Sequence, residues 1–204
     1  MDPSSGYEAV ASDFLAGRGS AQSSGIGVNA VRCWATTLPP GAAVLDLGCG
    51  SGLPITKVLI EQKLNVYALD AAPSFVEAFR RNFPAVPVIC EAVQDSTFFN
   101  RTFDGVLAWG LMFLLSPEHQ RRLICSIAAL VVPGGRFLFT APVEPVAWSD
   151  AMTGLDSRSL GGEEYRTQLS ANGLAVVSEY KDEGLNHYYD TRKLARSTLE
   201  RNPE

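Results

Sequence analysis

Apolar residues recur along the chain in two alternating rhythms. The first clear run, Ala42 to Leu47, is a short apolar block that ends in Gly48-Cys49-Gly50-Ser51-Gly52, which reads as a buried strand followed by a tight turn. Pro54 then suits the first turn of a helix, where its missing N–H is not needed, and Ile55, Val58 and Leu59 follow at helical spacing, with Gln62 extending the row. The pattern breaks near Asn65, and "NVYALD" forms a second short strand closing on Asp70. In "AAPSFVEAFRRNF", Pro73 stands early and Phe75, Val76, Phe79 and Phe83 share one helical face. "VPVIC" and "FDGVLAW" read as the third and fourth strands.

The next helix is predicted from "SPEHQRRLICSIAALVV", with Ser116 as N-cap, Pro117 first and Glu118 near the positive end of the dipole. Its buried stripe is expected to be Leu123, Ile124, Ile127, Leu130 and Val131, with "PGG" as its stop and "RFLFTA" as the fifth strand. A helix over "GGEEYRTQLSA" ends at Asn172-Gly173, where glycine supplies a left-handed cap, and "LAVVSEYKD" and "LNHYYDTRK" are two late strands. Strands alternating with helices across short turns predict an α/β fold: a doubly wound, mostly parallel seven-stranded sheet with helices on both faces. We divide the chain into an N-terminal helical segment with a mobile loop over the site (1–38), a ligand-binding domain (39–192) and a C-terminal tail (193–204). The Gly/Ser-rich stretch from Ala16 to Gly27 connects an N-terminal helix to the next, "VNAVRCWATTL".

Composition narrows the function. At 204 residues, with 46% hydrophobic and 19% charged residues, the chain suits one globular domain. A net charge of -5 offers no general attraction to nucleic acid or anionic lipid. No apolar run has the length of a membrane span and the start has no signal-peptide pattern, so a cytoplasmic protein is expected. Cys33, Cys49, Cys90 and Cys125 are far apart, with no metal-ligand spacing, and are expected as reduced, mostly buried thiols; no metal is expected. Nothing in the sequence sets an oligomeric state.

The glycine loop lies at the carboxyl end of a strand, where open α/β sheets bind ligands. A dinucleotide needs G-x-G-x-x-G, but counting from Gly48 places Leu53 at the final glycine, and counting from Gly50 places Ile55 there. Lys57 is likewise outside a phosphate-loop arrangement. Asp70 closes the second strand about 20 residues beyond the first glycine, the offset at which an acid reaches ribose hydroxyls. Asp46, just before the turn, adds a second carboxylate, which either sits at the ligand, repelling a diphosphate and favouring a cation, or only caps the following helix and orders the turn.

With those residues in place, the sequence resembles the class I S-adenosylmethionine-dependent methyltransferases. "VLDLGCGSG" is similar to their first motif, "VYALDAA" to their acidic second-strand motif, "CEAVQDSTF" with "FDGVLAW" to their adenine segment and fourth strand, and "LVVPGGRFLFT" to their fifth strand. The likeness covers about residues 40 to 180 and implies a Rossmann-like methyltransferase fold. It places Gly48, Cys49 and Gly50 against the methionine and ribose of S-adenosylmethionine, Asp70 on the ribose hydroxyls, with Ala71 also in the cofactor site, Glu91, Ala92 and Val93 around adenine, and Trp109 near the methionine end. S-adenosylhomocysteine would be the product.

Other residues keep two readings. Arg18 either reaches the cofactor carboxylate or is a solvated loop arginine. His187 is either a general base or an edge-strand histidine, and His119 is read as an exposed polar residue. Trp109, Met112, Phe113, Trp148 and Tyr188, with Tyr189, either line an acceptor pocket or pack in the core. The expected function is methyl transfer to a small-molecule acceptor. The alternatives are a protein acceptor, a domain that binds the cofactor without turnover, and a nicotinamide-dependent dehydrogenase; Leu53 and the lack of a Tyr-x-x-x-Lys pair disfavour the last.

Overall fold

A computed structural model describes residues 2–17 and 25–195. In chain order the elements are α1 (Ala11–Ala16), α2 (Val28–Ala35), β1 (Ala43–Leu47), α3 (Ile55–Glu61), β2 (Asn65–Asp70), α4 (Pro73–Asn82), β3 (Val88–Cys90) and β4 (Phe103–Ala108). They are followed by α5 (Pro117–Leu130), β5 (Val131–Thr140), β6 (Ala147–Ser149), β7 (Asp156–Arg158), α6 (Gly162–Ala171), β8 (Leu174–Lys181) and β9 (His187–Lys193). Single 3-10 turns occupy Phe98–Asn100 and Met112–Leu114.

Seven strands form one sheet in the order β3-β2-β1-β4-β5-β9-β8. The first five run parallel; β9 is antiparallel to both β5 and β8. Strand order reverses between β1 and β4, so a crevice opens at their carboxyl ends.

Period-two alternation explains how both faces are buried. Leu45, Leu47, Val106, Phe137 and Phe139 face a core completed by Leu123, Ile124 and Ile127 of α5 and by Tyr165 and Leu169 of α6. Their neighbours Val44, Leu107 and Leu138 face the opposite side, against Val31 and Trp34 of α2 and Val58 and Leu59 of α3. Burying each such aliphatic side chain contributes about 1.5–3 kcal/mol before the entropy of ordering is counted. α4 lies against β2 and β3, with Phe79 on Ala68. Ser116 caps α5 as expected, its hydroxyl accepting from the His119 N–H at 3.3 Å; His119 is partly exposed.

Four expectations change. α5 ends at Leu130 and β5 starts at Val131, so "PGG" lies inside β5 rather than between a helix and a strand. The register from Phe103↔Val131 to Gly105↔Arg136 absorbs these extra residues as an irregularity in the strand. Leu130 is only partly buried and Ala128 takes its place in the stripe, because the helix stops before the apolar row is complete. The third strand is shorter than "VPVIC", since Pro87 precedes its first ladder residue. Of the four cysteines only Cys49 is buried; Cys33, Cys90 and Cys125 are exposed free thiols.

The β6–β7 hairpin, registered through Trp148↔Ser157, has no counterpart in the sequence reading. It is held by tertiary contacts. Gln120 of α5 is fully buried, and its amide donates to Leu115 O at 2.9 Å and to Arg158 O at 2.7 Å, while its Oε1 accepts from the Tyr165 hydroxyl at 2.6 Å. Phe113 and Trp148 meet with ring centroids 5.4 Å apart.

Candidate functional site

The loop after β1 is wrapped across the end of β2. Gly48 and Cys49 both donate their N–H to Leu69 O, at 2.8 and 3.1 Å, and Gly50 N–H donates to Asp70 Oδ2 at 2.8 Å. Asp70 Oδ1 accepts from the Ala72 N–H at 2.9 Å. The carboxylate that ends β2 therefore ties the glycine loop to the start of α4. The carboxylate keeps acceptor capacity beyond these bonds. Gly52 shows why the loop needs glycine: its φ is +80°, and a Cβ there would sit 2.4 Å from Phe83 Cε2 and 2.9 Å from Phe79 Cε2. Gly52→Ala is expected to destabilise the fold by about 1–3 kcal/mol, read from denaturant unfolding midpoints. A midpoint unchanged from wild type would contradict this close packing.

Asp46 is buried beneath the loop, and its Oδ2 accepts from Thr56 Oγ1 at 2.6 Å. Burial pushes its pKa up to about 7, the Thr56 bond opposes the shift, and the neighbouring Asp70 adds to it. Asp70 is also raised, by burial first, against the pull of the Ala72 and Gly50 N–H groups. Burial and the same two carboxylates push the Cys49 thiol up, so it is an inert wall and not a nucleophile.

These residues border a cavity at the strand-order reversal. Asp46, Gly48, Cys49, Gly50, Asp70, Ala71, Glu91, Val93, Trp109 and Phe113 all line it. The other candidates have different places. Ala92 is buried between two lining positions. Met112 is fully buried in the core, and Trp148 stands behind Phe113. Tyr188 is fully buried and braces Trp109: the indole Nε1–H donates to its hydroxyl at 2.7 Å, and that hydroxyl donates to Asp182 Oδ2 at 2.8 Å. Arg18 lies outside the described residues.

His187 does not line the cavity. Its Nε2 pairs with Glu179 Oε2 at 3.0 Å, and its ring stands edge-on to Tyr189. Glu179 is in turn held by Arg166 through two bonds, at 2.7 and 2.8 Å. The alternation of β9 is the reason: Tyr188 points to the Trp109 side of the sheet, so His187 and Tyr189 point to the α6 side. This geometry turns the His187 ring away from the cavity.

Several lining residues were not singled out from the sequence. Ser5, Tyr7 and Phe14 come from the N-terminal segment, Leu111, Leu114 and Leu115 from the 3-10 turn after β4, Asp150 from the β6–β7 turn, and Asn186 from the β8–β9 turn. The ring contacts of Tyr7 and Phe14 with Phe75, at 6.2 and 4.9 Å, fix the N-terminal segment over the start of α4. Glu8 adds two bonds to Ser74, to its N–H at 3.0 Å and its hydroxyl at 2.6 Å. The spacing of aromatic residues in "YEAVASDF" was the available signal, but nothing local says which surface they meet.

Among the described residues no group of His, Cys, Asp and Glu is arranged to hold a metal ion, and no helix is long and apolar enough to cross a membrane. The donor set fits S-adenosylmethionine. Gly48, Cys49 and Gly50 border the cavity with no side chain at Gly50 to block it, Asp70 keeps acceptor capacity that a ribose could use, and Asp46 places a carboxyl that could meet a cation.

Residues 44–135 match the family described as "Methyltransferase domain". The chain is 28% identical over 111 residues to an uncharacterised methyltransferase of Synechocystis sp., covering 54% of this chain and 52% of that one. It is 30% identical over 153 residues to a ubiquinone biosynthesis O-methyltransferase of Xanthomonas axonopodis pv. citri, covering 71% of this chain and 57% of that one. It spans about half the length of the curated relatives it matches. Among solved structures, the Burkholderia thailandensis 1,6-didemethyltoxoflavin-N1-methyltransferase, with bound 1,6-didemethyltoxoflavin and S-adenosylhomocysteine, superposes with a TM-score of 0.70 at 22% identity. That alignment covers 93% of this chain and 89% of the other. The domain match over residues 44–135, together with a sheet order and glycine loop of the expected kind, supports a class I S-adenosylmethionine-dependent methyltransferase domain in this part of the chain.

Proposed function

We propose that the protein transfers a methyl group from S-adenosylmethionine to a small-molecule acceptor in the cytoplasm. The observation that carries this reading is the pair of buried carboxylates, Asp46 and Asp70, at a glycine loop whose cavity continues to an aromatic wall at Trp109 and Phe113. Gly48, Gly50, Asp70 and Ala71 would hold the ribose side of the cofactor, Asp46 its cationic end, and Glu91 and Val93 the adenine. The bound cofactor supplies an activated methyl on a positive sulfur, already a good leaving group.

What remains for the chain is positioning and exclusion of water. The Trp109–Tyr188–Asp182 chain of hydrogen bonds holds the indole in one orientation against the cavity. In this reading the N-terminal segment 1–38, whose residues 18–24 lie outside the described residues, covers the site, as supported by Tyr7 and Phe14 among the lining residues; segment 39–192 is the catalytic domain, and most of the tail 193–204 lies outside the described residues. A net charge of -5 favours a small molecule over nucleic acid. The relatives include an O-methyltransferase and an N-methyltransferase, so the acceptor atom is open to both classes.

Isothermal calorimetry with S-adenosylmethionine, S-adenosylhomocysteine and NADH tests the cofactor. The first two are expected to bind and NADH to give no heat; the reverse ranking would end the proposal. Release of S-adenosylhomocysteine across an acceptor panel separates an enzyme from a binding-only domain. Trp109→Ala is then expected to lower turnover more than cofactor affinity.

A further inference from the structure

The part of the cavity beyond the glycine loop is assembled from segments far apart in sequence: Ser5 and Tyr7 before α1, Trp109, Leu111 and Phe113 after β4, and Asp150 at the β6–β7 turn. Asp150 is rigidly presented. Its Oδ1 accepts from Met152 N–H at 3.0 Å, Thr153 N–H at 2.8 Å and the Thr153 hydroxyl at 3.1 Å, while its own N–H donates to Leu155 O at 2.8 Å. Its other oxygen, Oδ2, accepts from the Tyr7 hydroxyl at 3.3 Å, and both residues border the cavity. The turn is anchored in depth by Gln120 on Arg158 and by Trp148 on Phe113.

The charge inventory of the cavity points one way. Among the described lining residues the ionisable acids are Asp46, Asp70, Glu91 and Asp150, and no Lys, Arg or His stands beside them. Asp46, Asp70 and Glu91 belong to the proposed cofactor half, which leaves Asp150 as the one charged group of the aromatic half. A carboxylate or phosphate on the acceptor would meet this acid with no side-chain cation among the described lining residues to offset it, in a cavity walled by aromatic and aliphatic side chains where charge interactions are poorly screened. An amine or hydroxyl would instead donate to Oδ2.

We infer that Asp150, with Tyr7, selects the methyl acceptor: the site takes an aromatic or apolar molecule that is neutral or cationic and presents an N–H or O–H donor, and rejects anionic ones. This rests on the methyl-transfer reading above. It assigns Asp150 to recognition and asks nothing of it beyond accepting a hydrogen bond.

The test uses protein saturated with S-adenosylhomocysteine near neutral pH and three probes of matched size: 1-naphthylmethylamine, 1-naphthalenemethanol and 1-naphthoate. Ligand-observed NMR titration is expected to rank the amine and the alcohol about tenfold or more tighter than the acid. In Asp150→Asn, which keeps the Oδ1 acceptor of the turn, the preference for the amine over the acid is expected to shrink to about threefold or less, with S-adenosylhomocysteine affinity and melting temperature unchanged. The inference is overturned if the wild-type protein binds naphthoate as tightly as the amine, if none of the three probes binds, or if the ranking survives in Asp150→Asn. The wild-type ranking decides the matter even where that variant does not fold. Loss of S-adenosylhomocysteine binding itself would instead bring down the cofactor reading, and it is measured separately by calorimetry before any probe is added.

Discussion

Asp46→Asn is expected to make the ligand-free protein more stable at pH 8 and a weaker binder of S-adenosylmethionine. The native Asp46 carboxyl titrates at about 7 because burial disfavours its charge, whereas in the unfolded chain it returns to the ordinary 3.8. Between those values the folded protein holds a proton that the unfolded chain has released. The stability associated with neutral Asp46 is thus fully present below about pH 4 and is lost as pH rises through about 7. A shift of this size corresponds to at most about 4 kcal/mol above pH 7. Asparagine is neutral throughout and can still accept from Thr56 Oγ1, so it escapes the loss. The melting temperature of the variant should match wild type near pH 4 and exceed it by roughly 5–10 °C at pH 8. A difference that does not grow with pH would show that Asp46 is not held neutral in the ligand-free protein. Cofactor binding should run in the opposite sense. A cationic ligand beside Asp46 favours the carboxylate, so wild-type affinity should fall as pH drops below 7, and that dependence should vanish in Asp46→Asn.

The second large effect is expected at Asp70. In the ligand-free protein its two oxygens already accept from Gly50 and Ala72 N–H, so Asp70→Ala removes the tie between the glycine loop and α4 as well as the proposed partner of the ribose hydroxyls. Loss of hydrogen bonds to a charged acceptor costs about 1.5–3 kcal/mol, or roughly ten- to hundredfold in affinity for S-adenosylhomocysteine. Asp70→Asn separates the two roles. An amide can accept from only one of the two N–H groups and meets the other with its own N–H, so the loop is perturbed but the side-chain volume is kept. Calorimetry on both variants, with circular dichroism to verify folding, should show Ala weaker than Asn and both weaker than wild type. Unchanged affinity in a folded Asp70→Ala protein would remove this residue from the ribose site.

Much of this architecture follows from local pattern. The apolar block before Gly48, the strand closing on Asp70, the Ser116 cap and the Gly173 end of α6 are each specified within a few residues, because turn chemistry and hydrophobic period act over that range. The glycine spacing together with Asp46 and Asp70 marked one end of the site, since those groups lie beside each other where a strand ends and a helix begins. Three things were decided only by tertiary structure. The β6–β7 hairpin has no apolar alternation of its own, and the buried Gln120 amide and the Phe113–Trp148 contact hold it in place. The direction of His187 depended on which residue of β9 was paired with which of β5 and β8, because a one-residue change of register exchanges the two faces of a strand. The cavity joins Tyr7, Trp109 and Asp150 across most of the chain, and no local signal reports such a meeting. Sequence by itself thus specified most of the parallel strands and their helices and singled out the glycine loop with its two acids, which arise from short-range physics, while long-range packing alone decided which distant residues complete the cavity.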